Sequence, residues 1–216
     1  ITPWNYPLLL AISPLICALA AGNRAMLKMS SFTPRTGETL KRALAEAFSE
    51  DQVAVITGGG IVSDAFSRLP FNQMTFTGST NVGRTVMAAA AENLTPVLLE
   101  LGGKSPAIVH DSVPMKDVAE RIALGKGWNA GQTCVAPDYV FLPKGKTLDF
   151  VAAMRSAIAK MYPTMLNNPD YTSIVNNKQY QRIKGYLDDA IDQGAELFEI
   201  NPANESFTNT RKMPVI

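Results

Sequence analysis

The chain has 216 residues, enough to bury a sizeable core in one large α/β domain or in two smaller lobes. Lys and Arg number 20 against 19 Asp and Glu, a net charge of +1 with no basic cluster, so no nucleic-acid partner is expected. Hydrophobic residues at 46% and charged residues at 18% exclude a disordered chain. The cysteines Cys17 and Cys134 and the single His110 form neither a disulfide framework nor a zinc spacing. No metal is expected, and a reducing, cytoplasmic setting is. The apolar stretch from Leu8 to Ala21 is too short to cross a bilayer, contains Ser13 and Pro14, and follows no basic leader, so it reads as a buried helix and no membrane partner is expected.

In chain order, the first helix runs from about Pro7 to Ala21 and stops at Gly22-Asn23, where glycine accepts the left-handed conformation. A strand follows over Ala25 to Met29. Thr33-Pro34 marks a helix start, with Leu40, Leu44, Ala47 and Phe48 at helical spacing behind it. Val53 to Thr57 is a strand, Val62 to Arg68 a short helix, Gln73 to Thr77 a strand, Asn81 to about Glu92 a helix and Val97 to Leu101 an apolar run. Gly102-Gly103 marks a crossing between lobes. Beyond it come a strand at Ala107 to Val109, a helix at Met115 to Trp128, a strand at Tyr139 to Leu142, helices at Lys146 to Met161 and Asn176 to Gln193, and a last strand at Glu196 to Ile200. Asn167 to Thr172 reads as a plain surface loop. The alternation is that of βαβ units and a mostly parallel sheet, an α/β fold with a Rossmann-like rhythm.

Four places could carry chemistry. Phe76-Thr77-Gly78-Ser79-Thr80-Asn81-Val82-Gly83 puts a strand end, two glycines and two hydroxyls before a helix, an outline that favours phosphate oxygens at the helix N-terminus. It departs from G-x-G-x-x-G, and its glycines equally suit a plain turn. Cys134 ends the small polar stretch Asn129-Ala130-Gly131-Gln132-Thr133, where a thiol is either reachable by substrate or a small buried residue. His110 could pair with it as in a cysteine hydrolase, but next to Asp111 it reads better as a local cap. Glu100 closes the apolar run Val97-Leu98-Leu99. If buried there, desolvation raises its pKa and suits it to general-base work, and the alternatives are an ion pair with a lysine such as Lys104 or a surface residue on the outward side of the pleat. In Pro3-Trp4-Asn5-Tyr6-Pro7 two prolines stiffen the peptide around an amide, which makes Asn5 either an oxyanion donor or a helix N-cap.

Taken together and in order, PWNYP, AAGN, LKMS, FTGSTNVG, LELGGKSP and GQTCVAPDYV resemble the aldehyde dehydrogenase superfamily, and APDYV after the cysteine is most similar to its class 3 and coniferyl aldehyde branch. The resemblance covers essentially the whole chain. It implies a nicotinamide dinucleotide-binding lobe over residues 1–101 and part of a catalytic lobe over 102–216. It also implies Cys134 as nucleophile, Glu100 as general base and Asn5 as oxyanion donor. Lys28 matches the lysine that reaches the adenosine ribose, and Gly78, Ser79, Thr80, Asn81, Val82 and Gly83 match the pyrophosphate turn. The implied reaction oxidises an aldehyde, possibly aromatic in the coniferyl manner, to a carboxylate with NAD or NADP. Two alternatives are a sibling that passes the acyl group to coenzyme A, and a nucleotide-binding or structural homologue without chemistry.

Two departures from the family pattern matter. Many relatives read K-P-S-E where this chain has Lys28-Met29-Ser30-Ser31, so the carboxylate expected on the ribose hydroxyls is missing at Ser31. Without that repulsion a 2′-phosphate is tolerated, which extends the expected cofactor to NADP. Family members are also longer on both sides, so the chain, from Ile1 to Met213-Pro214-Val215-Ile216, is read as a central piece lacking a later E-x-F-G-P motif and an oligomer-forming arm. The intact protein is expected to be a homo-oligomer.

Overall fold

A computed structural model describes residues 1–208 and 210–212, so the terminal Met213-Pro214-Val215-Ile216 stretch lies outside the described residues. The chain divides into two compact units, Ile1–Gly102 and Gly103–Ile216.

In the first unit the order is α1 (Leu9–Ala20), β1 (Ala25–Lys28), α2 (Pro34–Ala45), β2 (Val53–Ile56), α3 (Gly60–Ser67), β3 (Met74–Thr77), α4 (Thr80–Ala91) and β4 (Val97–Glu100). β1 pairs with β2 in parallel, Ala25 opposite Val53, and β3 with β4 in parallel, Met74 opposite Val97. Residues 1 and 2 bond to both pairs. The Ile1 nitrogen donates to the Thr75 carbonyl at 2.7 Å, the Thr77 amide to the Ile1 carbonyl at 3.1 Å and the Thr2 amide to the Lys28 carbonyl at 3.0 Å. Two apolar clusters follow from these pairings. Leu27, Val53 and Val55 of the first strand pair and Met29 just after β1 pack with Ala11, Leu15 and Leu40 of α1 and α2, while Met74 and Phe76 pack with Val86 and Ala90 of α4. Each fully buried side chain of this size stabilises by about 1.5–3 kcal/mol.

The second unit contains β5 (Ser105–Ile108), α5 (Met115–Gly127), a 3-10 turn (Trp128–Gly131), β6 (Pro137–Phe141), α6 (Thr147–Met161) and α7 (Asn177–Asp192). β5 and β6 are parallel, and their register slips between Ser105 and Pro106, so that Ser105 faces Pro137 but Pro106 faces Tyr139. Both strands carry a proline with no N–H for the ladder, and the slip leaves Asp138 unmatched, where it meets Lys104 at 2.5 Å. The core gathers Ala119 and Ala123 of α5, Met154, Ala157 and Ile158 of α6, and Tyr162, Met165, Tyr171 and Ile200. Each unit holds one tryptophan, half-buried Trp4 in the first and exposed Trp128 in the second.

The α/β fold and the order of its elements agree with the sequence, and four local expectations are corrected. Leu8 occupies the N-cap position of α1, with no side-chain cap, so Asn5 is not a helix cap. That helix is buried along one stripe, Ala11 and Leu15, while Leu9 and Ile16 are exposed, because a 3.6-residue period on one flanking strand pair covers only one side. Glu196 to Ile200 is not a strand: only Ile200 makes an isolated bridge. The stretch from Asn167 to Thr172 is no plain surface loop, because Tyr171 is buried and its ring meets Tyr162 edge-on at 5.0 Å. Among the described residues no helix is long and apolar enough to cross a membrane.

Candidate active site

The phosphate-like turn sits where β3 hands over to α4. Ser79 is the N-cap of α4, and its hydroxyl accepts the Val82 amide at 3.4 Å. The Gly83 amide donates to the Ser79 carbonyl at 2.9 Å. A helix start leaves four amides without intrahelical partners, and here the cap takes that of Val82, so the amides of Ser79, Thr80 and Asn81 make up the remaining first-turn positive end. The glycines have a different reason from the one expected. A Cβ on Gly78 would stand 2.5 Å from Phe76 Cζ, and one on Gly83 would stand 2.8 Å from Leu101 Cδ2. The Gly78 amide is spent on the Glu100 carbonyl at 3.0 Å, so it extends the β3–β4 ladder and is not offered to a ligand. Gly78 therefore admits the Phe76 ring.

Lys28 closes β1 and is 1% exposed. Its Nζ donates to the Met29 carbonyl at 2.7 Å and the Gly58 carbonyl at 2.8 Å. Burial holds its pKa below the usual lysine value. An ammonium has three N–H bonds, so these two leave one for a hydroxyl acceptor. Ser31, where many relatives carry a carboxylate, is exposed.

Glu100 is exposed, which agrees with the outward-facing alternative and corrects that of a desolvated carboxylate. The cause is the period of two. Val97 and Leu99 are partly covered, whereas Leu98 and Glu100 share the open face of β4. The lysine offered as its ion-pair partner, Lys104, is engaged instead by Asp138. Asn5 lies in the turn before α1, half-covered, in the same unit.

In the second unit Cys134 is an exposed free thiol just ahead of β6. The turn leading to it runs left-handed at Asn129 and Ala130, both with φ of 51°, and at Gly131 with φ of 72°. The Ala136 amide donates to the Thr133 carbonyl at 3.1 Å, which folds the loop about the thiol. A Cβ on Gly103 would lie 2.8 Å from the Cys134 carbonyl oxygen, so the chain just after the glycine pair runs directly against the cysteine backbone. His110 is a local cap: its Nδ1 meets the Ser112 hydroxyl at 2.9 Å and accepts the Ser112 amide at 3.2 Å. Sequence reasoning passed over Gln132 and Gly103. Their only signal was an amide two residues before the thiol and a glycine pair at the crossing.

The first unit thus holds Lys28, Asn5, Glu100 and the Gly78–Gly83 turn, and the second holds Cys134. Residues 1–208 match the aldehyde dehydrogenase family. Over 197 residues the chain is 61% identical to a Pseudomonas aeruginosa protein named "Probable coniferyl aldehyde dehydrogenase", covering 91% of this chain and 41% of that one. It is 50% identical over 205 residues to the coniferyl aldehyde dehydrogenase of Pseudomonas sp. strain HR199, covering 95% of this chain and 43% of that one. A crystal structure of a Mycobacterium tuberculosis aldehyde dehydrogenase complexed with NAD+ superposes with a TM-score of 0.82 at 33% identity, over 91% of this chain and 41% of that chain. The chain spans about two fifths of the length of these relatives.

Proposed function

This chain belongs to the aldehyde dehydrogenase family, and from that membership we propose that the protein oxidises an aldehyde to its carboxylate with Cys134 as nucleophile. The observation that carries the reading is the thiol itself: exposed, free, and three residues past a left-handed turn. The Cys134 sulfur adds to the aldehyde carbon, and the oxygen that becomes negative is met by the Asn5 carboxamide and the Cys134 backbone N–H. A bound NAD or NADP would supply the acceptor for the hydride of this carbon. The thioester left on Cys134 is then opened by water whose proton passes to Glu100, and the exposure of that carboxylate gives water a way to reach it.

Two features of the first unit support a bound dinucleotide. The capped α4 N-terminus suits a pyrophosphate, with Ser79, Thr80, Asn81 and Val82 around it and Gly78 and Gly83 as spacers. Lys28 has one N–H left for the ribose, the other two being tied to carbonyls. Residues 1–101 serve as the dinucleotide lobe and 102–216 as the catalytic one. An aromatic aldehyde, a cytoplasmic setting and a homo-oligomer follow the same reading, the first from the coniferyl aldehyde dehydrogenase relatives.

The test uses the protein encoded by the complete reading frame. Cys134→Ser is expected to lower turnover roughly a thousandfold or more, the cost of losing a nucleophile. Glu100→Gln is expected to leave the first burst of reduced cofactor intact while the thioester accumulates, with turnover down about a hundredfold. An inert Cys134 would favour the structural homologue, and rescue of Glu100→Gln by coenzyme A but not water would favour the acylating sibling. Steady-state kinetics with both cofactors test the Ser31 departure: kcat/KM for NADP is expected within about tenfold of that for NAD, and a negligible NADP value would refute it.

A further inference from the structure

The attacking thiol is held by a turn that its own backbone disfavours. Asn129 and Ala130 carry side chains at φ of 51°, where Cβ crowds the following carbonyl, and Gly131 continues the left-handed run at 72°. Such a run persists only when its surroundings over-determine it.

Gln132 supplies that constraint from both ends of its carboxamide. Nε2 donates to the Asn129 carbonyl at 2.9 Å and to the Ser173 carbonyl at 3.1 Å, and Oε1 accepts the Val175 amide at 2.9 Å. The Gln132 amide adds a bond to the Asn129 carbonyl at 3.1 Å. The segment it grips is itself fixed: Ile174 is buried, its amide donates to the Arg211 carbonyl at 3.0 Å, and the Arg211 guanidinium donates to the Val175 carbonyl at 2.8 Å. On the other side of the loop Gly103 abuts the Cys134 carbonyl.

The geometry points to Gln132 as the positioning residue of the nucleophile: its carboxamide ties the left-handed turn to residues 173–175 and so fixes where the Cys134 sulfur and backbone N–H stand. The assignment rests on the reading of Cys134 as nucleophile. It adds that the side chain two residues earlier sets the attack geometry. A misplacement of about 1 Å at a reacting group costs up to about a hundredfold in rate. Gln132→Met keeps the length and removes the three side-chain bonds. Gln132→Glu keeps the acceptor for Val175 but turns a carboxylate oxygen toward the Asn129 and Ser173 carbonyls, a repulsion that protonation removes by restoring one donor.

In the protein of the complete reading frame, Gln132→Met is expected to lower kcat about 10- to 100-fold with KM for aldehyde within about threefold and the folded fraction by circular dichroism unchanged. Iodoacetamide labelling of Cys134, followed by peptide mass, is expected to slow by a comparable factor. For Gln132→Glu, the ratio of its kcat to that of the unsubstituted protein is expected to rise as pH falls from about 8 to about 5.5, through the range in which a carboxyl among carbonyls takes up its proton. A folded Gln132→Met protein with kcat and labelling rate within about twofold of the unsubstituted protein overturns the assignment. Should Gln132→Met not fold, the pH ratio of Gln132→Glu decides alone, and a flat ratio overturns it. Near-normal turnover in Cys134→Ser would instead overturn the nucleophile reading, whichever way Gln132 behaves.

Discussion

Ala130 carries a methyl group in a conformation that glycine adopts without penalty. Its φ of 51° costs an L-residue roughly 1–2 kcal/mol, and glycine's greater freedom in the unfolded chain returns part of that. Ala130→Gly is therefore expected to stabilise the protein by about 0.5–1 kcal/mol, against the usual direction of an Ala to Gly change, and a rise of a few degrees in the calorimetric Tm would show it. A fall in Tm would mean that the methyl group's packing against the α5–α6 core outweighs the backbone term. Nothing in the sequence announces this residue. Asn129 and Ala130 are ordinary in many conformations, and only Gly131 signals a left-handed turn. Gln132 was illegible for a related reason, since its partners Ser173 and Val175 lie about forty positions away and a side-chain bond of that range leaves no periodic trace.

The N-terminus of α4 separates two roles of one hydroxyl. As the cap of Val82, Ser79 stabilises the helix by about 1 kcal/mol, which Ser79→Ala should forfeit. As a neighbour of a pyrophosphate it must also tolerate negative charge. Ser79→Asp keeps a capping oxygen and complements the helix dipole, so stability in urea is expected to hold while the Kd for NAD+, measured by titration calorimetry, rises more than about tenfold from like-charge repulsion. An NAD+ Kd left unchanged by Ser79→Asp but raised by Ser79→Ala would argue that the cap alone matters. Strand, turn and helix were all legible here, because Met74–Thr77 alternates and Ser79-Thr80-Asn81 is good capping chemistry. The duty of Gly78 was not, since the pressure on it comes from Phe76, two residues back on its own strand. Glu100 was left open by the letters. Val97, Leu98 and Leu99 are apolar alike, and only the strand's period of two places the carboxylate beside Leu98 on the open side of β4.

Across the whole molecule the strands and helices were legible in order because short β-branched runs and longer 3.6-residue patterns alternate on both sides of the glycine pair. The irregular stretch after α6 was not, because its polar letters conceal Met165, Tyr171 and Ile174, and its order comes from remote partners such as Lys212, whose Nζ donates to the Met165 and Asn168 carbonyls at 2.6 and 3.0 Å. That stretch also carries a pH response. Burial, reinforced by Tyr162, pushes the Tyr171 phenol up to about 12, while unfolding returns it to the ordinary 10.0. The folded state thus keeps a proton that the unfolded state gives up, so the stabilisation is complete below pH 10 and is lost as pH climbs from 10 toward 12, by up to about 3 kcal/mol. Urea midpoints at about pH 8 and about pH 11 should differ strongly in the native sequence and much less in Tyr171→Phe, with the remainder owed to Tyr162, whose phenol burial also raises. A spectroscopic opportunity follows from the even distribution of indoles. With Trp4 replaced by phenylalanine, the emission of Trp128 alone reports the half that contains these phenols, and with Trp128 replaced, Trp4 reports the other, so the alkaline transition can be assigned to its half of the chain by colour.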